Sequence, residues 1–276
     1  MIVFPNCKIN LGLNIVARRP DGYHDIETVM VPVGWRDSLE IVPAEGTEST
    51  LTVLGRKVDC PPEKNLVMRA FRVMEREYSL PPVHMYLIKN IPDGAGLGGG
   101  SADASFAVRC LNDLFSVGVG EERMADIVAG IGADCPFFIY NRPMIATGTG
   151  TILKPIDINL GGKGILVVKA PGTAVSTAEA YSSVVPRKPD YDLEEVLRTR
   201  TVNEWQHIVK NDFEAGIFQK QPLVGDIKRI MIEAGAEYAA MSGSGSSVFG
   251  IFKDDKVADN VRRMFEGYDV FVGTLE

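Results

Sequence analysis

The chain has 276 residues, of which 45% are hydrophobic and 24% charged, and a formal net charge of −7. That length suits about two domains of roughly 150 residues each, and the ordinary apolar and charged fractions exclude a disordered or fibrous chain. The acidic balance argues against a nucleic-acid partner, which draws a basic face, and no run of roughly 18 apolar residues is present to cross a membrane as a helix. Met1 to Lys8 lacks the basic-then-apolar order of an export signal. Cys7, Cys60, Cys110 and Cys135 lack the paired spacing of a zinc or redox site, so reduced, buried thiols and a cytoplasmic location are expected.

Residues 2–16 read as a strand, because Lys8, Asn10, Gly12 and Asn14 alternate with Ile9, Leu11, Leu13 and Ile15. A face with a lysine and two asparagines is either solvated or lines a polar site. A turn built on Pro20-Asp21-Gly22 follows and presents Tyr23 beside His24. His24 either serves its own loop or, with Tyr23, offers a stacking surface for a base ring. Strands are expected at 26–33, 38–42 and 49–54, and a helix at 65–80 with Leu66, Ala70, Phe71, Met74 and Tyr78 on one side. Val83 to Ile88 is a further strand.

The segment after that strand is Pro92-Asp93-Gly94-Ala95-Gly96-Leu97-Gly98-Gly99-Gly100-Ser101-Ala102, with five glycines among the seven residues 94–100. From Ala102 onward Phe106, Ala107, Cys110, Leu111 and Leu114 recur at helical steps, so a helix is expected directly after the glycines. Glycine lets a backbone turn its N–H groups inward without a Cβ in the way, and a helix start adds unpaired donors and a partial positive charge. The unit suits an anion, such as a nucleotide phosphate. A dinucleotide fingerprint would need a second strand ending at an acidic residue about 20 residues on, and none is clean. A P-loop would need a lysine, and none occurs between Lys89 and Lys154. The remaining alternative is a flexible turn with no ligand.

A short helix is expected at 121–130, followed by Gly132-Ala133-Asp134-Cys135-Pro136-Phe137-Phe138. Asp134 is either a cap or turn residue or a carboxylate held in a cleft near a cation, since an apolar setting is costly for an unpartnered charge. Strands are expected at 144–147 and 164–170, with a boundary at Gly148-Thr149-Gly150 dividing residues 1–150 from 151–276. Helices are expected at 178–182, capped by Ser176 or Thr177, and at 193–199, 203–209, 223–234 and 255–266, with 186–192 a surface loop. Met241-Ser242-Gly243-Ser244-Gly245-Ser246-Ser247 is a second small-residue loop, ahead of strands at 248–252 and 269–274.

The segment Pro92 to Ser101 resembles the phosphate loop of the galactokinase, homoserine kinase, mevalonate kinase and phosphomevalonate kinase (GHMP) superfamily. Lys8-Ile9-Asn10-Leu11, Gly22-Tyr23-His24, Gly132 to Phe138 and Met241 to Ser246 resemble the branch whose substrate carries a cytidine diphosphate, in non-mevalonate isoprenoid precursor synthesis. The resemblance implies an α+β fold of two domains, the N-terminal one like a ribosomal-protein domain and the C-terminal one ferredoxin-like. It implies an ATP-dependent small-molecule kinase using Mg²⁺, acting as monomer or homodimer. Lys8 and Asp134 would be the catalytic pair. Asn65, Pro92, Gly94, Ala95, Gly96, Leu97, Gly98, Gly99, Gly100, Ser101 and Ala102 would bind ATP; Asn10, Tyr23, His24, Thr177, Gly243, Ser244 and Gly245 would bind the cytidine-bearing substrate. Cys7, Asp93 and Ala102-Asp103 depart from the usual alanine, methionine and Ser-Asn. Asp93 would repel phosphate unless it points away or meets a cation. A kinase for homoserine, mevalonate or a sugar, or a nucleotide-binding protein without catalysis, are the rival readings.

Overall fold

The fold is described by a computed structural model covering Met1–Glu276. The chain opens with β1 (Ile2–Val3), β2 (Asn6–Arg18), β3 (His24–Arg36), β4 (Ser38–Pro43) and β5 (Thr50–Gly55). Then come α1 (Leu66–Tyr78), β6 (Val83–Lys89), α2 (Gly99–Leu114), α3 (Glu121–Ala129) and α4 (Cys135–Tyr140). The next stretch holds β7 (Met144–Gly148), β8 (Ile152–Pro155), β9 (Gly164–Lys169), α5 (Thr177–Ser182), α6 (Leu193–Thr199) and α7 (Val202–Ile208). The chain ends with α8 (Glu214–Lys220), α9 (Pro222–Glu233), β10 (Tyr238–Met241), β11 (Val248–Phe252), α10 (Asp255–Arg262) and β12 (Asp269–Thr274).

These elements form two compact units, one of residues 1–7, 35–93 and 98–142, the other of residues 8–34, 94–97 and 143–276. The chain therefore does not divide at one break near residue 150. The expected boundary glycines Gly148 and Gly150 belong to the turn of the β7–β8 hairpin, which closes with Thr147 opposite Ile152. β3 pairs antiparallel with β7, Ile26 opposite Gly148 through Met30 opposite Met144, and that pairing carries the early strands into the later unit.

In the first unit the sheet runs β1-β4-β6-β5, with only β5 parallel to its neighbour. β6 obeys the two-residue rule: Val83, Met85 and Leu87 are buried, while Tyr86 and Ile88 are exposed. Its buried face packs with Leu39, Ile41 and Leu51 against Val67, Ala70, Phe71 and Met74 of α1 and Ala104, Val108 and Leu111 of α2. The helix expected at 65–80 is shorter at both ends, because the Asn65 side chain caps it by accepting from Val67 N at 2.9 Å and Ser79 adopts a left-handed φ of 55°.

In the second unit β2-β3-β7-β8 form one sheet and β10-β11-β9-β12 an antiparallel ferredoxin-like second. β9, β10 and β11 are buried almost throughout, so they lack alternation. Leu166, Val168, Met241, Val248 and Phe252 pack with Phe213 and Ile217 of the α8 region, Val224, Ile227 and Met231 of α9, and Ala258 and Val261 of α10. Cys7, Cys110 and Cys135 are buried thiols as expected, but Cys60 is partly exposed. Phe71→Ala removes a fully buried ring from the first unit; its urea midpoint is expected to fall by the equivalent of about 3–5 kcal/mol.

Candidate active site

The glycine segment is shared by the two units. Its stems, up to Asp93 and from Gly98, belong to the first, and Gly94–Leu97 belong to the second. In the first unit Gly98, with φ 70°, is the N-cap of α2, so the helix starts inside the glycine run rather than after it. The first helical bond is Ala102 N to Gly98 O at 2.9 Å, which leaves the N–H groups of Gly99, Gly100 and Ser101 without an intrahelical acceptor. A Cβ on Gly99 would lie 3.0 Å from Ile91 Cγ2 and 3.4 Å from Lys89 Nζ, which keeps the stem narrow. Pro92 and Ala102 are buried and Asp93 is exposed.

Asp134 is half-buried at the N-cap position of α4, yet its side chain does not cap that helix. Ser105, absent from the expected site, ties this corner to the glycine stem: its Oγ lies 2.9 Å from the Ser101 carbonyl oxygen and 2.7 Å from that of Cys135. Burial pushes the Cys135 thiol up to about 11, so it is not a nucleophile. Asn65, in the same unit, spends its Oδ1 on the α1 cap.

In the second unit Lys8, Asn10 and Asn14 are buried, so this face of β2 is a polar lining and not a solvated surface. Lys8 Nζ donates to Asn10 Oδ1 at 2.5 Å, Asn10 Nδ2 to Thr28 Oγ1 at 3.0 Å, and Thr28 Oγ1 to Gly12 O at 2.5 Å. Lys8 N also donates to Leu97 O at 2.9 Å, attaching the strand to the glycine segment. The second small-residue loop lies against the same segment. Ser242 Oγ donates to Gly96 O at 2.9 Å, Ser247 N donates to Ala95 O at 3.1 Å, and a Cβ on Gly96 would overlap the Ser242 carbonyl oxygen. A Cβ on Gly243 would lie 3.4 Å from Asn10 Oδ1. Ser244 is half-buried and Gly245, with φ 91°, is buried. Asn211, which sequence reasoning missed, holds this loop by donating to Met241 O and Gly243 O, both at 2.8 Å.

A cavity of about 710 Å³ in this unit is lined by Arg18, Tyr23, His24, Thr149, Thr177 and Tyr181, among others. Ser176, not Thr177, caps α5, leaving Thr177 to line the cavity. The stacking surface differs from the expected Tyr23–His24 pair. Tyr181 stacks on His24 with centroids 4.7 Å apart and planes 20° from parallel, and Phe213 braces Tyr181 edge-on at 5.0 Å. Tyr23 stands exposed at the rim. Nothing in the sequence around Tyr181 marks it, because its partner lies more than 150 residues earlier.

The structure thus gathers Lys8, Asn10, Gly94–Leu97 and Gly243–Gly245 in the second unit, with Tyr23, His24 and Thr177 lining its cavity. Asn65, Pro92, Gly98–Ala102 and Asp134 lie in the first. No three His, Cys, Asp or Glu side chains converge as a ready metal cage.

Residues 65–142 match the family of GHMP kinases by its N-terminal domain and residues 193–269 by its C-terminal domain. A solved mevalonate kinase, 13% identical, has the same fold with a TM-score of 0.75 over 100% of this chain and 99% of that one. The chain is a GHMP-type small-molecule kinase, for which ATP is the co-substrate. A 4-diphosphocytidyl-2-C-methyl-D-erythritol kinase from Parabacteroides distasonis is 51% identical over 253 residues, 92% of each chain. The crystal structure of a 4-(cytidine 5'-diphospho)-2C-methyl-D-erythritol kinase is 30% identical, with a TM-score of 0.84 over 100% of this chain and 99% of that one. The chain belongs to the 4-diphosphocytidyl-2-C-methyl-D-erythritol kinase family.

Gly96→Ala forces a Cβ into the Ser242 carbonyl at a φ of 75°. It is expected to lower stability by about 1–3 kcal/mol and to raise the KM for ATP at least about tenfold, measured on protein shown to be folded by circular dichroism.

Proposed function

We infer that the protein transfers the γ-phosphoryl group of ATP to the 2-hydroxyl of 4-diphosphocytidyl-2-C-methyl-D-erythritol, a step of non-mevalonate isoprenoid precursor synthesis. The observation that carries this reading is the His24–Tyr181 stack lining a cavity of nucleotide size. It belongs to the same unit as Lys8, Asn10 and the middle of the glycine segment. A kinase for homoserine, mevalonate or galactose has no base to stack.

In phosphoryl transfer the charge spreads over the oxygens of the moving group, so positioning and electrostatic clamping dominate. The glycine-segment amides and the Gly99–Ser101 end of α2 supply donors for the ATP phosphates. Lys8, held by Asn10 and buried, supplies a cation of low mobility. Asp134 orients the acceptor hydroxyl and receives its proton, a role worth about 10²–10⁴-fold. Carboxylates are weak bases for alcohols, so the proton moves late, as the oxygen–phosphorus bond forms. Mg²⁺ would be held mainly by the ATP phosphate oxygens and water, since no three His, Cys, Asp or Glu side chains converge and a hard cation of this kind needs few protein ligands. When bound, the ion neutralises charge on the phosphates.

Stacking contributes about 1–3 kcal/mol per base and tolerates any base. Selection of cytosine therefore rests on donors and acceptors that uracil would leave unpaired, for which Thr177, the imidazole of His24 and the backbone near Gly22 are available. In the second small-residue loop the N–H groups of Gly243 and Ser244 are the ones offered to the substrate's phosphates, since Ser242 N donates to Ser247 O and Gly245 N to Ser242 O. The acidic charge speaks against a nucleic-acid partner, no helix is long and apolar enough to cross a membrane, and the reading is of a cytoplasmic enzyme acting as monomer or homodimer.

A coupled ATP-consumption assay comparing the cytidyl substrate with mevalonate, homoserine and galactose tests the assignment; preference for any of the last three overturns it. Lys8→Ala and Asp134→Ala are each expected to cut kcat by at least about 100-fold with little change in ATP binding by calorimetry. His24→Ala and Tyr181→Ala are each expected to raise the KM for the cytidyl substrate about tenfold and leave that for ATP within about twofold. Equal effects on both substrates would remove the base from this cavity.

A further inference from the structure

Beneath the glycine stems lies a buried charge cluster that the transfer reaction does not use. Lys89, the last residue of β6, donates to Asp37 Oδ2 and, at 2.6 Å, to Asp103 Oδ2. All three side chains are buried. Asp37, between β3 and β4, also takes two backbone N–H groups on its other oxygen, Asn90 N at 2.6 Å and Ile91 N at 2.8 Å. Those residues are the last before Pro92. Asp103 stands in the second turn of α2, past the other stem. The cluster is therefore bonded to the backbone entering the glycine segment and to the helix leaving it.

We propose that Asp37, Lys89 and Asp103 are positioning residues for ATP, locking the two stems of the phosphate loop to each other so that its amides face the phosphates. This rests on the reading of residues 94–101 as the ATP loop, and goes beyond it in assigning a second set of residues to set its shape. The geometry also distributes the charge. Asp37 accepts from three donors and is the ionised partner of Lys89. Asp103 accepts from Lys89 alone, and its Oδ1 is buried with no partner, a poor setting for a full negative charge. A proton on Asp103 makes the cluster neutral.

The charged groups acting on Asp103 are Lys89 from β6 and Asp37 from the β3–β4 junction. Burial, opposed by Lys89 and reinforced by Asp37, pushes the Asp103 carboxyl up to about 8. Burial pulls Lys89 down, but the two carboxylates outweigh it and hold its ammonium above the ordinary lysine value. As pH rises through about 8, Asp103 loses its proton and the cluster gains a buried negative charge under the phosphate site. From the ordinary carboxylate value of 3.8 up to about 8 the folded protein holds a proton that the unfolded chain has released, so this site makes stability fall as pH rises across that window.

The test compares wild type with Asp103→Leu, Asp103→Asn and Gly96→Ala in the full-length enzyme, measuring KM for ATP and for the cytidyl substrate from pH 6 to 9, with urea midpoints at each pH. Asp103→Leu is expected to raise the KM for ATP about tenfold and leave that for the cytidyl substrate within about twofold. Asp103→Asn keeps the shape and the neutral charge. It is expected to recover most of that loss at pH 7, and to remove both the rise in ATP KM near pH 8 and the matching slope in stability. Equal KM effects on both substrates, or an asparagine variant with the wild-type pH profile, overturns the proposal; if the leucine variant does not fold, the asparagine profile decides alone. Gly96→Ala separates the two readings. If it raises the ATP KM and the Asp103 variants do not, only the clamp is wrong; if it leaves ATP untouched, the loop reading falls and the clamp with it.

Discussion

At Gly96 a backbone carbonyl, that of Ser242, occupies the space where any other residue would carry a side chain. Two loops separated by 146 residues in sequence meet there, joined by the Ser242 Oγ to Gly96 O bond. Gly94, Gly96 and Gly98 all take left-handed φ values, which cost residues with a Cβ roughly 1–2 kcal/mol each. Glycine carries its own penalty of about 0.5–1 kcal/mol in lost chain entropy, so a run of five glycines in seven residues is worth having only where backbone must meet backbone or ligand. The density of the motif and the closeness of the two loops are one constraint seen twice.

That constraint explains the polar strand beside it. Burying Lys8, Asn10 and Asn14 would be costly in an apolar interior, yet each has a bond: Lys8 to Asn10, Asn10 to Thr28, and Asn14 to Glu27 at 3.1 Å. Lys8 N holds Leu97 O while Lys8 Nζ is held by Asn10, so one residue couples the backbone course of the glycine segment to the placement of a cation. A solvated lysine would sample many rotamers and lose that coupling. The buried one is already oriented when a phosphate arrives, the condition under which fixed dipoles and charges act most strongly on a developing transition state.

What could be read from the sequence was whatever depends on near neighbours. The alternation of β2, the period of α1 and α2, the strands at 164–170 and 248–252, and the glycine segment itself all show in windows of a dozen residues. α4, with five of its six residues buried, and β10, with all four, are too short and too uniformly apolar to declare a period. The helix start at Gly99 was hidden because glycine is a poor helix former, and only the approach of Ile91 and Lys89 accounts for it. Tyr181, Asn211, Ser105 and the two-unit division rest on contacts between residues far apart in the chain, and no local pattern carries those. The lining role of the β2 face was undecided for the same reason: alternation says which residues share a face, not what covers it.

The two aspartates that flank the glycine segment show how far burial decides the meaning of a charge. Both depart from the residues usual in the motif, and on sequence alone Asp93 opposes a phosphate unless it points away or meets a cation. Asp93 is exposed, where water and salt screen it within about a Debye length. Asp103 is buried, unscreened, and near enough to Lys89 to be either a partner or a liability. A second carboxylate, Asp37, already neutralises that lysine, and its three donors give it the better claim to the charge. A buried group without enough partners relieves itself by holding a proton. The aspartate that stands where the motif usually has asparagine is, in its folded surroundings, a protonated strut between the two stems of the loop.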